Sequence, residues 1–133
     1  MSDHTVQEKL EATAKQAAKT SYSPYSHFPV GAAILTSDGR IFSGGNIENA
    51  SFGLTNCAER TAIFKAISEG ATEITHVVVY TPTDTPTTPC GACRQVIREF
   101  GRNAVCLNIC DSEQRLDTTL EALLPNSFGP EKL

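Results

Sequence analysis

THVVVY, residues 75–80, is a nearly continuous run of β-branched and aromatic side chains. Such a run predicts a strand covered on both faces, which requires helices above and below it. The neighbouring segments supply helices on either side. Upstream, a helical pattern runs from Cys57 to about Glu69 and stops at Gly70. Downstream, the turn-rich TPTDTPTTP (81–89) leads to a second helical pattern over about 90–100, closed by Gly101. AVCLNIC (104–110) then reads as another buried strand. Apolar strands alternating with helices predict an α/β chain.

Further out, VGAAILTSDGRIFSGG (30–45) reads as a β-hairpin, two short apolar runs joined through Ser37, Asp38 and Gly39. Thr5 to about Lys19 is helical, with Val6, Leu10, Ala14, Ala17 and Ala18 spaced for one face. SYSPYSHFP (21–29) and NIENASFGLTN (46–56) are loops, the first held out of regular helix by Pro24 and Pro29. TTLEALL (118–124) predicts a short C-terminal helix, followed by a PNSFGP tail. The expected architecture is a mixed-sheet α/β sandwich forming one domain over residues 1–133. These patterns do not contain the strand order.

The 133-residue length suits one core, and 40% apolar with 20% charged residues is the profile of a globular chain. A net charge of -4 without a basic cluster argues against a nucleic acid polymer as partner. No segment approaches the roughly 18 consecutive apolar residues of a membrane span. The opening MSDHTVQEKLEATAKQ is polar and helical in pattern, unlike an export leader. Five cysteines without an export signal point to a reducing cytoplasm, where thiols serve metal binding or catalysis.

Three of those cysteines fall where a loop becomes a helix, in TNCAER (55–60) and TPCGACRQ (88–95). Asn56 is the expected N-cap of the first helix and Thr88 that of the second, with Pro89 as its first residue. Cys90 and Cys93, three apart, share one helix face. Together with Cys57 they provide three thiolates, the protein-ligand count of a zinc site with one open position. Helix starts suit the task, because their partial positive charge offsets the excess thiolate charge. Arg60, three residues after Cys57, is placed to donate to a thiolate sulfur.

Each motif alone has a plainer explanation. C-x-x-C is also a redox pair or half of a structural zinc site, and Asn56-x-x-Glu59 has the spacing of a capping box. Cys106 and Cys110 read as buried small hydrophobes, although either could close a four-sulfur site. The combination is more specific. C-A-E at one helix start and P-C-x-x-C at another match the zinc deaminase signature, with cysteine in the histidine position. There the glutamate is not a ligand but moves protons.

SPYSHFPVGAA (23–33), GNIENASFG (45–53), NCAERTAIFKA (56–66), TPCGACRQ (88–95) and LLPNSF (123–128) resemble the small homotetrameric cytidine deaminases. The likeness covers nearly the whole chain. It implies the three-layer fold of that family, a mixed five-stranded sheet sandwiched between helices. It also implies hydrolytic deamination of cytidine and deoxycytidine with release of ammonia, in pyrimidine salvage, using one Zn2+ per subunit. Cys57, Cys90 and Cys93 match the zinc ligands, and Glu59 matches the proton shuttle. Asn46 and Glu48 match residues that hold the ribose hydroxyls, Phe28 an aromatic packed on the pyrimidine, and the Ala58 backbone the contact to the base's polar edge. Arg60 and Gln95 match residues that hydrogen-bond the cysteines, and Phe128 one that reaches a neighbouring subunit's site. Phe52 departs from the pattern, since many relatives carry Tyr there. Two alternatives share part of the pattern: a deaminase of another aminopyrimidine nucleoside such as blasticidin S, and a non-catalytic zinc module closed by Cys106 or Cys110.

Overall fold

The computed structural model describes residues 3–133. THVVVY lies at the centre of the sheet, in β3 (Ile74–Tyr80). The strand before it in space is β1 (Gly31–Thr36), paired through a tight hairpin with β2 (Ile41–Gly45). β4 (Val105–Ile109) lies on the other side of β3, and β5 (Arg115–Thr119) forms the far edge. The order is β2-β1-β3-β4-β5, five strands, with only the β3–β4 pair parallel among neighbours.

Helices cover both faces. α1 (Asp3–Ala18) lies on one, where Leu10 and Ala14 pack against Ala33, Val78, Leu107 and Ile109. α2 (Ala58–Ser68) and α3 (Gly91–Phe100) lie on the other, where Ala62, Ile63 and Ile97 meet Ile34, Val77, Val79 and Cys106. Val77, Val78 and Val79 are therefore all buried, because successive side chains on β3 enter opposite cores. The mixed sheet between helical layers is the expected fold.

Two close approaches need residues without a Cβ. At Gly31 a Cβ would fall 1.9 Å from the Ala14 carbonyl oxygen on α1, and at Gly44 it would fall 2.6 Å from the Thr61 methyl on α2. Both layers thus touch the hairpin backbone directly. Its turn places Gly39 at φ +88°, the left-handed region where glycine is free of Cβ strain.

β5 is the element that the residue patterns missed. RLDTT is polar and mostly exposed, since an edge strand has little core to face, and it lacks the apolar run that marks β3 and β4. Thr118 and Thr119, expected in a helix, are the end of this strand. The helix α4 is a single turn, Leu120–Leu123, and Thr119 caps it by accepting from the Ala122 N–H at 3.2 Å.

The connections position the site. α2 carries the chain from β2 over β1 to β3, and α3 carries it from β3 to β4. β2 and β3 are both antiparallel to β1 and therefore run the same way. Both helices accordingly start at the carboxyl edge of the sheet, where α/β folds bind their ligands.

Candidate active site

Each helix start is set by the residues before it. Asn56 exchanges two backbone hydrogen bonds with Ile47, at 2.9 and 2.8 Å, so it belongs to a short bridge and not to the helix. Cys57 therefore takes the N-cap position of α2, one residue later than expected, with extended backbone at φ -71°, ψ 156°. The capping box fails for the same reason: the Asn56 N–H that Glu59 would accept is already bonded to Ile47.

At α3 the N-cap is Cys90, two residues beyond the expected Thr88. The Thr88 hydroxyl is taken by Arg94, whose guanidinium also donates to the carbonyls of Pro89 at 2.7 Å and Leu123 at 2.9 Å. The motif gives Arg94 no role, because spacing carries no sign of a side chain folded back on its own loop. Neither helix start has a side-chain cap. The positive ends of both are left to the thiols.

The sulfurs of Cys57, Cys90 and Cys93 lie within 4.8 Å of one another, Cys57 and Cys90 at 3.9 Å. Two sulfurs on one tetrahedral zinc, each about 2.3 Å from it, stand about 3.8 Å apart. The trio is therefore positioned to bind a metal ion with little movement. Cys106 lies in the apolar core, and Cys110 is hydrogen-bonded to Ser112 and the Gln114 carbonyl. Neither joins the cluster, so the four-sulfur closure is not formed.

Arg60 occupies its expected place, with Nη2 donating to the Cys57 sulfur at 3.3 Å. The Cys57 and Cys93 thiols are shifted in opposite directions. The hydrogen bond from Cys93, aided by Arg60, draws Cys57 down to about 5, and the same bond pushes Cys93 up. Gln95 is placed differently from its expected role: Nε2 donates to the Phe128 carbonyl at 3.0 Å and not to a cysteine.

Glu59 is 4% exposed, in the first turn of α2. Burial raises its carboxyl to about 7, with the Cys57 thiolate adding to the effect. A buried carboxyl poised near neutrality both takes and returns a proton. It opens on a cleft of about 380 Å³ whose walls include Phe28, Val30, Ala58 and Val79, with Asn46, Glu48, Thr81 and Thr88 supplying polar groups. Among the described residues, no lysine, arginine or histidine lines this cleft. A second cleft, about 290 Å³, lies at the tail among Arg98, Arg102, Glu121 and Glu131, a charged surrounding ill-suited to a neutral base.

Asn46 and Glu48 reach the cleft through the Ile47 bridge. Asn46 is anchored from three sides, accepting from Ser21 and the Val30 N–H and donating to the Phe28 carbonyl at 2.9 Å. Glu48 accepts from the Tyr25 and Ser26 N–H groups at 3.0 and 3.1 Å and from the Ser26 hydroxyl. These bonds, the Ser26 hydroxyl foremost, hold its carboxyl below the usual range. Val79 and Thr81, both lining the cleft, are further site residues that the motifs did not reveal, since a strand and its first loop residue carry no deaminase signature.

Comparison with known proteins agrees with this geometry. The family model for the cytidine and deoxycytidylate deaminase zinc-binding region matches residues 4–109. The cytidine deaminase of Sporosarcina psychrophila is 47% identical over 127 residues, 95% of this chain and 93% of the relative. That of Halalkalibacterium halodurans is 48% identical over 120 residues, 89% and 90% of the two chains. The crystal structure of cytidine deaminase from Burkholderia pseudomallei superposes with a TM-score of 0.88 at 42% identity, covering 96% of this chain and all of the other (100%). A match over most of the sequence, with the three thiols and the buried glutamate in place, identifies this chain as a member of the cytidine and deoxycytidylate deaminase zinc-binding family.

Proposed function

We propose that this protein is a zinc-dependent cytidine deaminase, converting cytidine and deoxycytidine with water to uridine and deoxyuridine plus ammonia. The observation that carries the reading is a buried carboxyl beside a three-thiol cluster at the base of an apolar cleft. Cys57, Cys90 and Cys93 hold one zinc per chain, and Glu59 is the proton shuttle. Bound there, the zinc supplies a Lewis acid that lowers the pKa of water from about 15.7 toward 7.

The remaining roles belong to the chain. Phe28, Val30 and Val79 give the pyrimidine an apolar slot, and the Ala58 backbone meets its polar edge. Asn46 and Glu48 orient the ribose hydroxyls. The Glu59 carboxylate takes a proton from the attacking water and hands it to N3, then takes the proton of the hydroxyl added at C4 and hands it to the departing amine, leaving the C4 carbonyl. Arg60 keeps charge drawn toward the Cys57 sulfur and so limits donation to the metal. With two carboxylates and no cation on its walls, the cleft suits an uncharged nucleoside better than a phosphate ester.

The whole chain, residues 1–133, acts as one domain in this reading. It works in the cytoplasm, in pyrimidine salvage, as a homotetramer in which Phe128 helps to close a neighbouring site. The 59% exposed Phe128 ring is outside the lining of its own cleft, and no helix among the described residues is long and apolar enough to cross a membrane.

The test is ammonia release from cytidine, deoxycytidine, CMP and blasticidin S, with Glu59→Ala alongside. Turnover of both nucleosides, lost by about 10²–10⁴-fold in the variant while zinc is retained, is the expected result. Turnover of blasticidin S alone would overturn the substrate, and silence on all four with zinc bound would overturn the chemistry.

A further inference from the structure

We infer that Arg98 is a positioning residue for the reaction: it clasps residues 127–131 onto α3 so that the Phe128 ring is presented at a fixed place. The inference rests on the reading that Phe128 completes a neighbouring copy's cleft. Arg98 is 4% exposed, rare for a charged side chain that is not engaged. Its Nε donates to the Ser127 hydroxyl at 2.7 Å, and its Nη2 donates to the Glu131 carboxylate. Between those two partners the chain passes flat over the guanidinium. A Cβ at Gly129 would stand 2.5, 2.6 and 2.7 Å from Nη1, Cζ and Nη2, so any side chain there would push the guanidinium out of its place.

One turn back on the same helix, Gln95 holds the Phe128 carbonyl at 3.0 Å. The backbone of Phe128 is thus fixed on both sides, while its ring stays 59% exposed and outside the lining of its own cleft. A tail folded down for its own stability would bury that ring. α3 also carries Cys93 and is capped by Cys90, so one rigid helix places two of the three thiols and the presented ring. That arrangement keeps the distance from the ring to the subunit's own metal site constant.

The test compares Arg98→Met, Arg98→Lys, Glu131→Gln, Gly129→Ala and Phe128→Ala by steady-state kinetics on cytidine, with hydrogen exchange at the Lys132 and Leu133 amides. Those amides bond the Gly129 and Pro130 carbonyls at 3.0 and 3.1 Å within the turn that contains Glu131, so their protection reports whether that turn depends on the hold of Arg98. Arg98→Met is expected to raise KM about tenfold with a smaller effect on kcat, to free both amides, and to keep full zinc. Arg98→Lys, which keeps charge but not the two-partner fork, should recover part of that loss. In the Phe128→Ala background Arg98→Met should add nothing, because both act through the same ring.

Unchanged KM in Arg98→Met with the amides freed would overturn the proposal, as would effects that add in full. Glu131→Gln and Gly129→Ala keep the arginine but disturb its hold on the tail, and should give the same KM rise and loss of protection if Arg98→Met fails to fold. Absence of cytidine turnover in the parent protein would sink the functional reading alone, and the exchange data would still decide whether the clasp exists.

Discussion

A glutamate two residues after a cysteine has two competing uses at a helix start, and burial decides between them. As a capping-box member Glu59 would reach back to Asn56, yet that N–H is spent on Ile47 and the carboxyl is buried beside sulfur instead. The residue types and spacing of the thiol trio, Glu59 and Arg60 were legible in the sequence, because metal chemistry constrains them tightly. Gln95 shows the limit of that legibility. Its identity matches the motif, but its amide partner is a tail carbonyl thirty-three positions away, which no local pattern encodes. Arg60→Ala is expected to lower kcat about tenfold or more while zinc content stays near one per chain, because a hydrogen bond to a ligand sulfur is lost and the ligand itself remains. Metal analysis alongside kinetics checks it, and unchanged turnover would remove Arg60 from the mechanism. Cys110→Ser should leave both zinc content and turnover at the parent level, since its sulfur is hydrogen-bonded outside the cluster. A fall in bound zinc would return Cys110 to the ligand set.

At the level of elements, strands facing two cores announce themselves and strands facing one do not. β3 and β4 are readable because both faces are apolar, whereas β5 is polar on an edge and its last two residues carry a helical pattern. The two site helices were placed correctly and their caps were not, because an N-cap depends on which residue escapes the preceding loop's hydrogen bonds. Arg94 carries that lesson into energetics. It ties Thr88 and Pro89 to α4 and so holds the loop from which Cys90 projects. Arg94→Ala should weaken zinc binding by about 10–100-fold, the usual cost of losing a support behind a ligand, as read by chelator competition. Wild-type zinc affinity in the variant would mean that the loop holds its shape unaided. Gly31→Ala tests the other face. Its Cβ would press on the Ala14 carbonyl, a backbone atom that cannot rotate away, so a loss of about 1–3 kcal/mol is expected in denaturant unfolding. Unaltered stability would show that α1 is free to shift.

Across the whole molecule, a chain of this size exposes much of its aromatic surface: Tyr22, Tyr25, Phe28, Phe52, Phe64 and Phe128 are all open to solvent in one copy. Phe52 packs edge-on against Tyr25, with ring centroids 6.0 Å apart, beside Glu48 at the mouth of the cleft. The proposed tetramer would cover such surface, and its expected solution mass is four times the 14.3 kDa of one chain. A fully active monomer by light scattering would overturn the tetramer. Among the described residues no cation lines the cleft, which further predicts that CMP is turned over at least about 100-fold less efficiently than cytidine, because burying a phosphate dianion on the ribose side, near Glu48, is uncompensated. The sequence by itself determined the α/β class, the covered strands, the three thiols and the glutamate beside them, since these follow from local periodicity and from residue types that few other tasks require. Only the tertiary structure decided the strand order, the edge strand β5, the anchoring of Asn46 and Glu48 through Ile47, and the clasp of Arg98 on the tail. Those depend on which backbone groups find one another across long stretches of chain, and hydrogen-bond partners chosen at that distance leave no periodic trace in the residues that make them.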